Sequence, residues 1–136
     1  MENKQPVAKF RFLGYKIIKS YLDFNDRDIQ SDSINLNIKP TIIEQTEKLF
    51  RLNLDVTLGN DTSDFNVNIS IIGTFEYESD DKERLSKFFS LNAPAIMFPY
   101  IRAYISTITT LSGIPTMLIP TLNVSNLADE ICKQIK

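Results

Sequence analysis

The sequence holds no histidine and a single cysteine, Cys132, which removes most of the side chains that carry nucleophilic and proton-transfer chemistry. A Ser-His-Asp or Cys-His arrangement has no imidazole to act as base. A zinc cluster lacks a second thiolate as well as every imidazole, and an internal disulfide has no partner sulfur. No P-loop, GxGxxG or GxSxG occurs, so phosphate cradles and nucleophile elbows have no motif either. Carboxylates are what remain. Glu76, Glu78, Asp80 and Asp81 crowd one short stretch, and carboxylates do acid–base work when a cleft forces their pKa values apart. Here they read instead as the solvated end of a strand and the turn after it. The expectation is a protein that is not an enzyme and uses no metal or cofactor.

Composition narrows the remaining classes. With 43% hydrophobic and 24% charged residues, the chain has the balance of a folded domain, not of a disordered segment. Its 136 residues fit one domain, 1–136, with a core that needs no staple. A net charge of −2 offers no basic field to a phosphate backbone, so nucleic acid is not an expected partner. The opening MENKQPVAKF lacks the apolar centre of a secretory signal, and no window reaches the roughly 20 apolar residues that span a bilayer. The chain therefore reads as cytoplasmic, with no membrane insertion.

Apolar residues, then, must carry the function, and the elements decide where they stand. Phe50, Leu52, Leu54, Val56 and Leu58 alternate with Arg51, Asn53, Asp55 and Thr57. After GNDTSD, Phe65, Val67, Ile69 and Ile71 alternate with Asn66, Asn68 and Ser70. This period of two predicts a hairpin with one buried and one wet face. Upstream, Ile34, Leu36 and Ile38 form a shorter strand that Pro40 is expected to end. VAKFRFLGYKIIKSYLDF is apolar at Phe10 and Phe12, then at Leu13, Tyr15 and Ile17, then at Ile18, Leu22 and Phe24. A face that switches parity twice demands bulges, with Gly14 marking the first.

The second half turns helical. DDKERLSKFFSL opens on acids that suit a helix N-terminus and carries Leu85, Phe88 and Phe89 on one side. From Pro94 to Leu111, Met97, Ile101, Tyr104, Ile105 and Ile108 recur at helical spacing, with Thr107, Thr109 and Thr110 off that stripe. Pro99 reads as a first-turn proline. Gly113 and Pro115 end the helix, IPTMLIPTLN is irregular, and a last short helix spans Ser125 to Ile135. The predicted fold is α+β: a four-stranded antiparallel sheet, a long helix, a Pro-containing loop and a short C-terminal helix, with the helices on one side.

Within LNAPAIMFPYIRAYISTITTLSGIPTMLIPTLNVSNL, Leu91 to Leu127, stand Phe98, Pro99, Tyr100 and Arg102, then Gly113, Pro115, Pro120 and Asn123. IIGTFEY, Ile71 to Tyr77, adds a Gly-x-Phe strand end. These motifs and their spacing resemble the signature regions of the protein-export chaperone family SecB. The resemblance implies an ATP-independent homotetramer, a dimer of dimers, that binds unfolded precursor proteins in apolar grooves and keeps them translocation-competent. The grooves lie between sheet and helices, roofed by the loop between the last two helices and bordered by the crossover of the first strands. Groove residues carried over are Phe75, Tyr77, Phe98, Tyr100, Ile114, Met117, Leu118, Ile119 and Leu122. Flexible thioether and aliphatic chains suit varied clients. For Phe98 and Tyr100, packing the helix start is an equal reading, and an ion pair is the reading for Arg102. Met97, Ile101, Tyr104, Ile105 and Ile108 are expected to serve an oligomer interface as well as the core.

Three alternatives stay open. The chain is a SecB-like chaperone for a non-export client such as an antitoxin, a small α+β domain with a hydrophobic ligand in a closed cavity, or an oligomeric scaffold that buries its stripe. The resemblance also implies the motor SecA as a partner, met through an acidic sheet face. Here Asn68 stands where the family usually carries Glu, and Asp55 is the only acid among Arg51, Asn53, Asp55, Thr57, Asn66, Asn68 and Ser70. Such a face steers a basic partner poorly, so any SecA complex is expected to be weak or to use another surface.

Overall fold

Alternation and helical spacing become elements in the expected order. The computed structural model describes residues 9–30, 33–78, 81–115, 117, 119 and 125–135. It runs β1 (Lys9–Phe24), β2 (Asn35–Gln45), β3 (Leu49–Gly59), β4 (Phe65–Glu78), α1 (Lys82–Lys87), a π-helical turn (Phe88–Asn92), α2 (Ala93–Leu111) and α3 (Ser125–Gln134). The sheet is antiparallel throughout, in the order β1-β4-β3-β2. The expected hairpin is its centre: Phe50, Leu52, Leu54, Val56 and Leu58 face the same side as Val67, Ile69, Ile71 and Phe75, all buried.

The parity switches of β1 are bulges. Its register with β4 shifts between Phe12 and Gly14 and again between Ile17 and Lys19. Each shift extrudes one residue, Leu13 and then Ile18. Phe10, Phe12, Tyr15, Ile17, Leu22 and Phe24 thereby all lie opposite helix-facing positions of β4. Gly14 takes φ 135° at the first bulge, a region closed to residues with a Cβ. A third shift, between Ile42 and Glu44, extrudes Ile43 from β2. All three extruded side chains are large, apolar and exposed.

Pro40 does not end β2; it pairs with Leu54 in mid-strand. A proline is tolerated there because β2 is an edge strand and the missing N–H faces away from β3. That outward edge is covered from within the chain. The Gln134 amide of α3 donates to the Pro40 carbonyl at 3.0 Å and accepts from the Ile42 N–H at 2.8 Å, as the peptide group of a neighbouring strand would.

Asp81 caps α1, its carboxylate accepting from the N–H groups of Glu83 and Arg84. The π-helical turn sets Phe89 on Phe50, ring centroids 3.7 Å apart, and Phe88 on Phe10 at 4.0 Å. In α2 the first-turn proline is Pro94, and Pro99 lies inside the helix. Pro99 and Ala95 share an exposed face, where the carbonyl left unbonded by the proline opens to solvent. Thr109 also departs from expectation. It is fully buried, its hydroxyl donating to the Ile105 carbonyl and accepting from the Met117 N–H.

One contact sets how closely helix meets sheet. A Cβ added to Gly73, in the middle of β4, would lie 2.7 Å from the Met97 sulfur of α2. That sulfur belongs to the far end of a fully buried, flexible side chain, which must repack within the core to admit the added carbon. Gly73→Val should therefore destabilise by about 1–3 kcal/mol through overpacking. In the double variant with Met97→Ala the loss should be smaller than the sum of the two single losses. Denaturant unfolding of the four proteins measures the coupling, and strict additivity would show that the contact does not set the spacing.

Candidate functional site

The course of α2 over the sheet leaves two apolar surfaces. Met97 sits over Gly73, the Tyr100 ring lies 4.6 Å from that of Tyr15, and the Tyr104 hydroxyl donates to Ser20 Oγ at 2.9 Å. Tyr15 pairs with Gly73 and Ser20 with Ile69, so α2 runs alongside β1 toward Phe24. From Tyr104 to Leu111 the helix advances about 10 Å, the length of about three strand residues. It thus finishes where the β3–β4 hairpin turns.

The first surface is the flank of α2 beside β1. Tyr100, Tyr104, Ile108 and Leu111 follow one another at helical spacing above Tyr15 and Ile17. Tyr15 is 42% and Tyr100 40% exposed, and Leu111 reaches 81%. The Phe12 ring backs Tyr100 at 5.8 Å. The outer edge of β1 adjoins this flank and adds Leu13 and Ile18.

The second surface is a seam at the hairpin end. One side is the crossover from β1 to β2, which contributes Ile29 and Ile34; the other is the segment that leaves α2. There Gly113 takes φ 78° and turns the chain back. Met117 is then fastened along α2, its N–H donating to Thr109 Oγ1 at 3.2 Å and its carbonyl accepting from Ser106 Oγ at 3.1 Å. Ile119 lines one surface hollow with Pro99, Arg102, Ala103 and Ser106. Leu58 and Val67 are buried beneath, while Ile29, Ile34, Leu36 and Ile114 are half-buried. Neutral oxygens and aliphatic chains line this seam, chemistry suited to holding an extended apolar segment rather than to reacting with it.

The crossover is held from below by the hairpin turn. Asp64, 1% exposed, accepts from the Gln30 N–H at 2.7 Å, from Asn60 Nδ2 at 3.0 Å, from Thr62 Oγ1 and from Asn25 Nδ2 at 3.4 Å. Hydrogen bonds from Thr62 foremost, then from the Gln30 N–H and Asn60, hold its carboxyl well below the usual carboxylate range, against the opposing cost of burial. Asp61 is lowered as well, by Asn35 and then Ser33.

The expected groove residues fall into separate places. Phe75 and Tyr77 are buried at the opposite end of the sheet among Phe10, Phe50 and Phe89. There the Tyr77 hydroxyl donates to the Thr46 carbonyl, and burial, then Glu47, pushes the phenol up. Phe98 is buried in α2, and Tyr100 stands on the β1 flank. Ile114, Met117 and Ile119 lie on the segment that leaves α2, with Met117 and Ile119 buried; Leu118 and Leu122 lie outside the described residues. Of the expected interface stripe, Met97, Ile101 and Ile105 are fully buried in the chain's own core, whereas Tyr104 and Ile108 are half-buried on the flank. Ile29, Ile34, Tyr15 and Leu111 were not singled out from sequence. The parity switch at Tyr15 was the available signal for one of them.

The carboxylates that opened the sequence reading do not converge. Glu76 and Glu78 are exposed on β4 and Asp81 caps α1; Asp80 lies outside the described residues. On the outer sheet face, Asp55 Oδ1 accepts from Asn68 Nδ2 at 2.9 Å and Ser70 Oγ at 3.1 Å. The pairing sets Lys19, Ser70, Asp55 and Lys39 in one row across the sheet.

Known proteins share this fold. Residues 20–134 match the family described as preprotein translocase subunit SecB. A protein-export protein SecB of Azoarcus sp. (strain BH72) is 25% identical over 135 residues, covering 93% of this chain and 88% of that protein. An uncharacterized protein of Methanocaldococcus jannaschii is 35% identical over 65 residues, 48% of this chain, which spans only 42% of that relative. In structure, the chain superposes with a TM-score of 0.70 on a SecB-like chaperone of Mycobacterium tuberculosis in complex with a ChAD peptide from the HigA1 antitoxin. That match has 15% sequence identity and covers 84% of this chain and 90% of that one.

The lowered carboxyl of Asp64 predicts an acid limit. Because its folded-state value is depressed, the stability it supplies is complete above the ordinary aspartate value of about 3.9 and is lost as pH falls below it. Denaturant midpoints measured from neutral pH down to about pH 2 should fall more steeply for the wild type than for Asp64→Asn. Parallel curves would mean that the carboxylate is not held as described.

Proposed function

Since the family match runs over residues 20–134, the chain belongs to the SecB family, and from that premise we propose that it is an ATP-independent chaperone that holds unfolded proteins in its apolar seam. The observation that carries this reading is that the β1–β2 crossover with the start of β2 presents half-buried aliphatic chains, Ile29, Ile34 and Leu36, and that the segment leaving α2 presents Ile114, with Met117 and Ile119 buried after it. Half-buried aliphatic chains bind apolar sequence without demanding a particular one. Clients are precursor proteins kept translocation-competent, or a non-export client such as an antitoxin; the peptide bound by the structurally similar mycobacterial chaperone supports the second.

The assembly we propose is a homotetramer, a dimer of dimers, in the cytoplasm. Met97, Ile101 and Ile105 already spend their surface on the chain's own core, so the contacts between copies fall to Tyr100, Tyr104, Ile108 and Leu111 on the flank and to the open edge of β1. Among the described residues no helix is long and apolar enough to cross a membrane. SecA is not held by the outer sheet face in this reading: Asp55 is engaged by Asn68 and Ser70 and stands between two lysines.

Stoichiometric suppression of aggregation of a chemically unfolded protein, without nucleotide, tests the chaperone activity. Ile29→Ser with Ile114→Ser removes two apolar contacts of about 1–2 kcal/mol each and should weaken capture at least tenfold, with unfolding still cooperative. Equal protection by wild type and variant would move the client site elsewhere.

Light scattering should give the mass of four copies of the 15.6 kDa chain. Leu111→Arg, at a position open in the single chain, should reduce that mass while leaving the circular dichroism unchanged. A monomeric wild type at micromolar concentration would end the assembly proposal.

A further inference from the structure

The β1–β2 crossover must pass the ends of β4 and β3, since its two strands occupy opposite edges of the sheet. Its described residues, 25–30 and 33–34, are mostly polar and form no strand or helix, and such a connection keeps one shape only when its backbone is tied down. Among the described residues, the β3–β4 turn that follows Gly59 supplies ties to both halves of the crossover. Asp64 holds the first half: its carboxylate takes the Gln30 N–H at 2.7 Å and Asn25 Nδ2 at 3.4 Å, with Arg27 Nε at 3.7 Å, and its carbonyl accepts from the Asn25 N–H at 3.0 Å. Asp61 holds the second half, accepting from Ser33 Oγ at 2.8 Å and Asn35 Nδ2 at 3.1 Å. Asp64 is in turn fixed by Asn60, whose Oδ1 accepts the Asp64 N–H at 2.9 Å and whose Nδ2 donates to its carboxylate. Ile29 and Ile34, the apolar residues that the crossover brings to the seam, lie between or beside these ties and pack on the core.

We infer that Asp64 and Asp61 are positioning residues for client binding, clasping the crossover at both ends so that Ile29 and Ile34 stand as a preformed wall of the seam. This rests on the chaperone reading above and adds to it what sets the shape of the groove. A wall held in place before the client arrives spares the client the cost of ordering it. Released, the crossover has to be ordered by the client itself, and the two events become thermodynamically linked.

The experiment compares wild type, Asp64→Asn and Asp61→Ala by hydrogen exchange of residues 25–34, and by binding of reduced, carboxymethylated α-lactalbumin, a permanently unfolded chain. Asp61 is exposed, so its variant keeps the test available if Asp64→Asn folds poorly. Exchange of the Gln30 amide should rise at least tenfold in Asp64→Asn, while β3 and β4 stay protected and affinity for α-lactalbumin falls at least fivefold. Saturating α-lactalbumin should restore protection to the crossover in the variant, which a loss of general stability would not produce. Unchanged exchange in both variants would overturn the clasp. Faster exchange with undiminished affinity and no re-protection would overturn its role in binding. If the exchange changes occur but even the wild type ignores α-lactalbumin, the clasp stands and the chaperone reading is what fails.

Discussion

The seat of the Met97 thioether on the bare backbone of Gly73 governs the layout of this molecule. A strand position without a side chain lets α2 approach β4 closely, and once the helix is seated there its long stripe is consumed by Phe75, Ile71 and Ile69 below. One helix cannot roof four strands. The β2 side is filled by α3 and the π-helical turn, and what is left uncovered follows from that allocation: a flank along β1 and a seam where α2 ends. The functional surfaces are thus the remainder of a packing problem, and their apolar character is what an antiparallel sheet with one buried face must show wherever its cover stops.

The two remainders differ in how they are supported. Along β1 the exposed residues rise from regular elements, and their aromatic rings already touch one another, Tyr15 on Tyr100 and Phe12 behind. That flank presents a fixed shape, which suits a partner of fixed shape such as another copy. At the seam the apolar residues stand on connections, tied by Thr109 and Ser106 on one side and by Asp64 and Asp61 on the other. Polar clasps with apolar tips give a surface that is placed without being sequence-specific, in keeping with a binder of unfolded chains.

Much of this was legible in the sequence where periodicity alone decides. The central hairpin was, because Phe50 to Leu58 and Phe65 to Ile71 keep strict alternation; so were the bulges of β1, since no unbroken strand can switch faces. Pro40 was misread because edge position, which excuses a proline, is a property of topology rather than of local sequence. Thr109 was misread because a threonine that bonds back to its own helix can be buried as easily as exposed, and the strand of contacts that buries it comes from Met117, eight residues on. Asp64 and Gln134 carried no signal at all, being ordinary polar residues whose partners are 34 and 92 residues distant. Family resemblance named the loop around Met117 and Ile119. It could not separate Tyr100 on the flank from Ile114 at the seam, since only the course of α2 across the sheet and the turn at Gly113 set them apart.

The Gln134 amide on Pro40 and Ile42 has a further meaning if a sheet edge is regarded as a bonding valence. A sheet with two free edges can join others on both sides and grow into an open ribbon, the route by which edge strands aggregate. In this chain the Gln134 amide of α3 occupies the middle of the β2 edge, and a proline and an extruded isoleucine mark the same edge. Among the described residues, β1 has no neighbouring strand along its outer side. Were joining confined to the β1 edge, edge-to-edge contact would stop at pairs however concentrated the protein became.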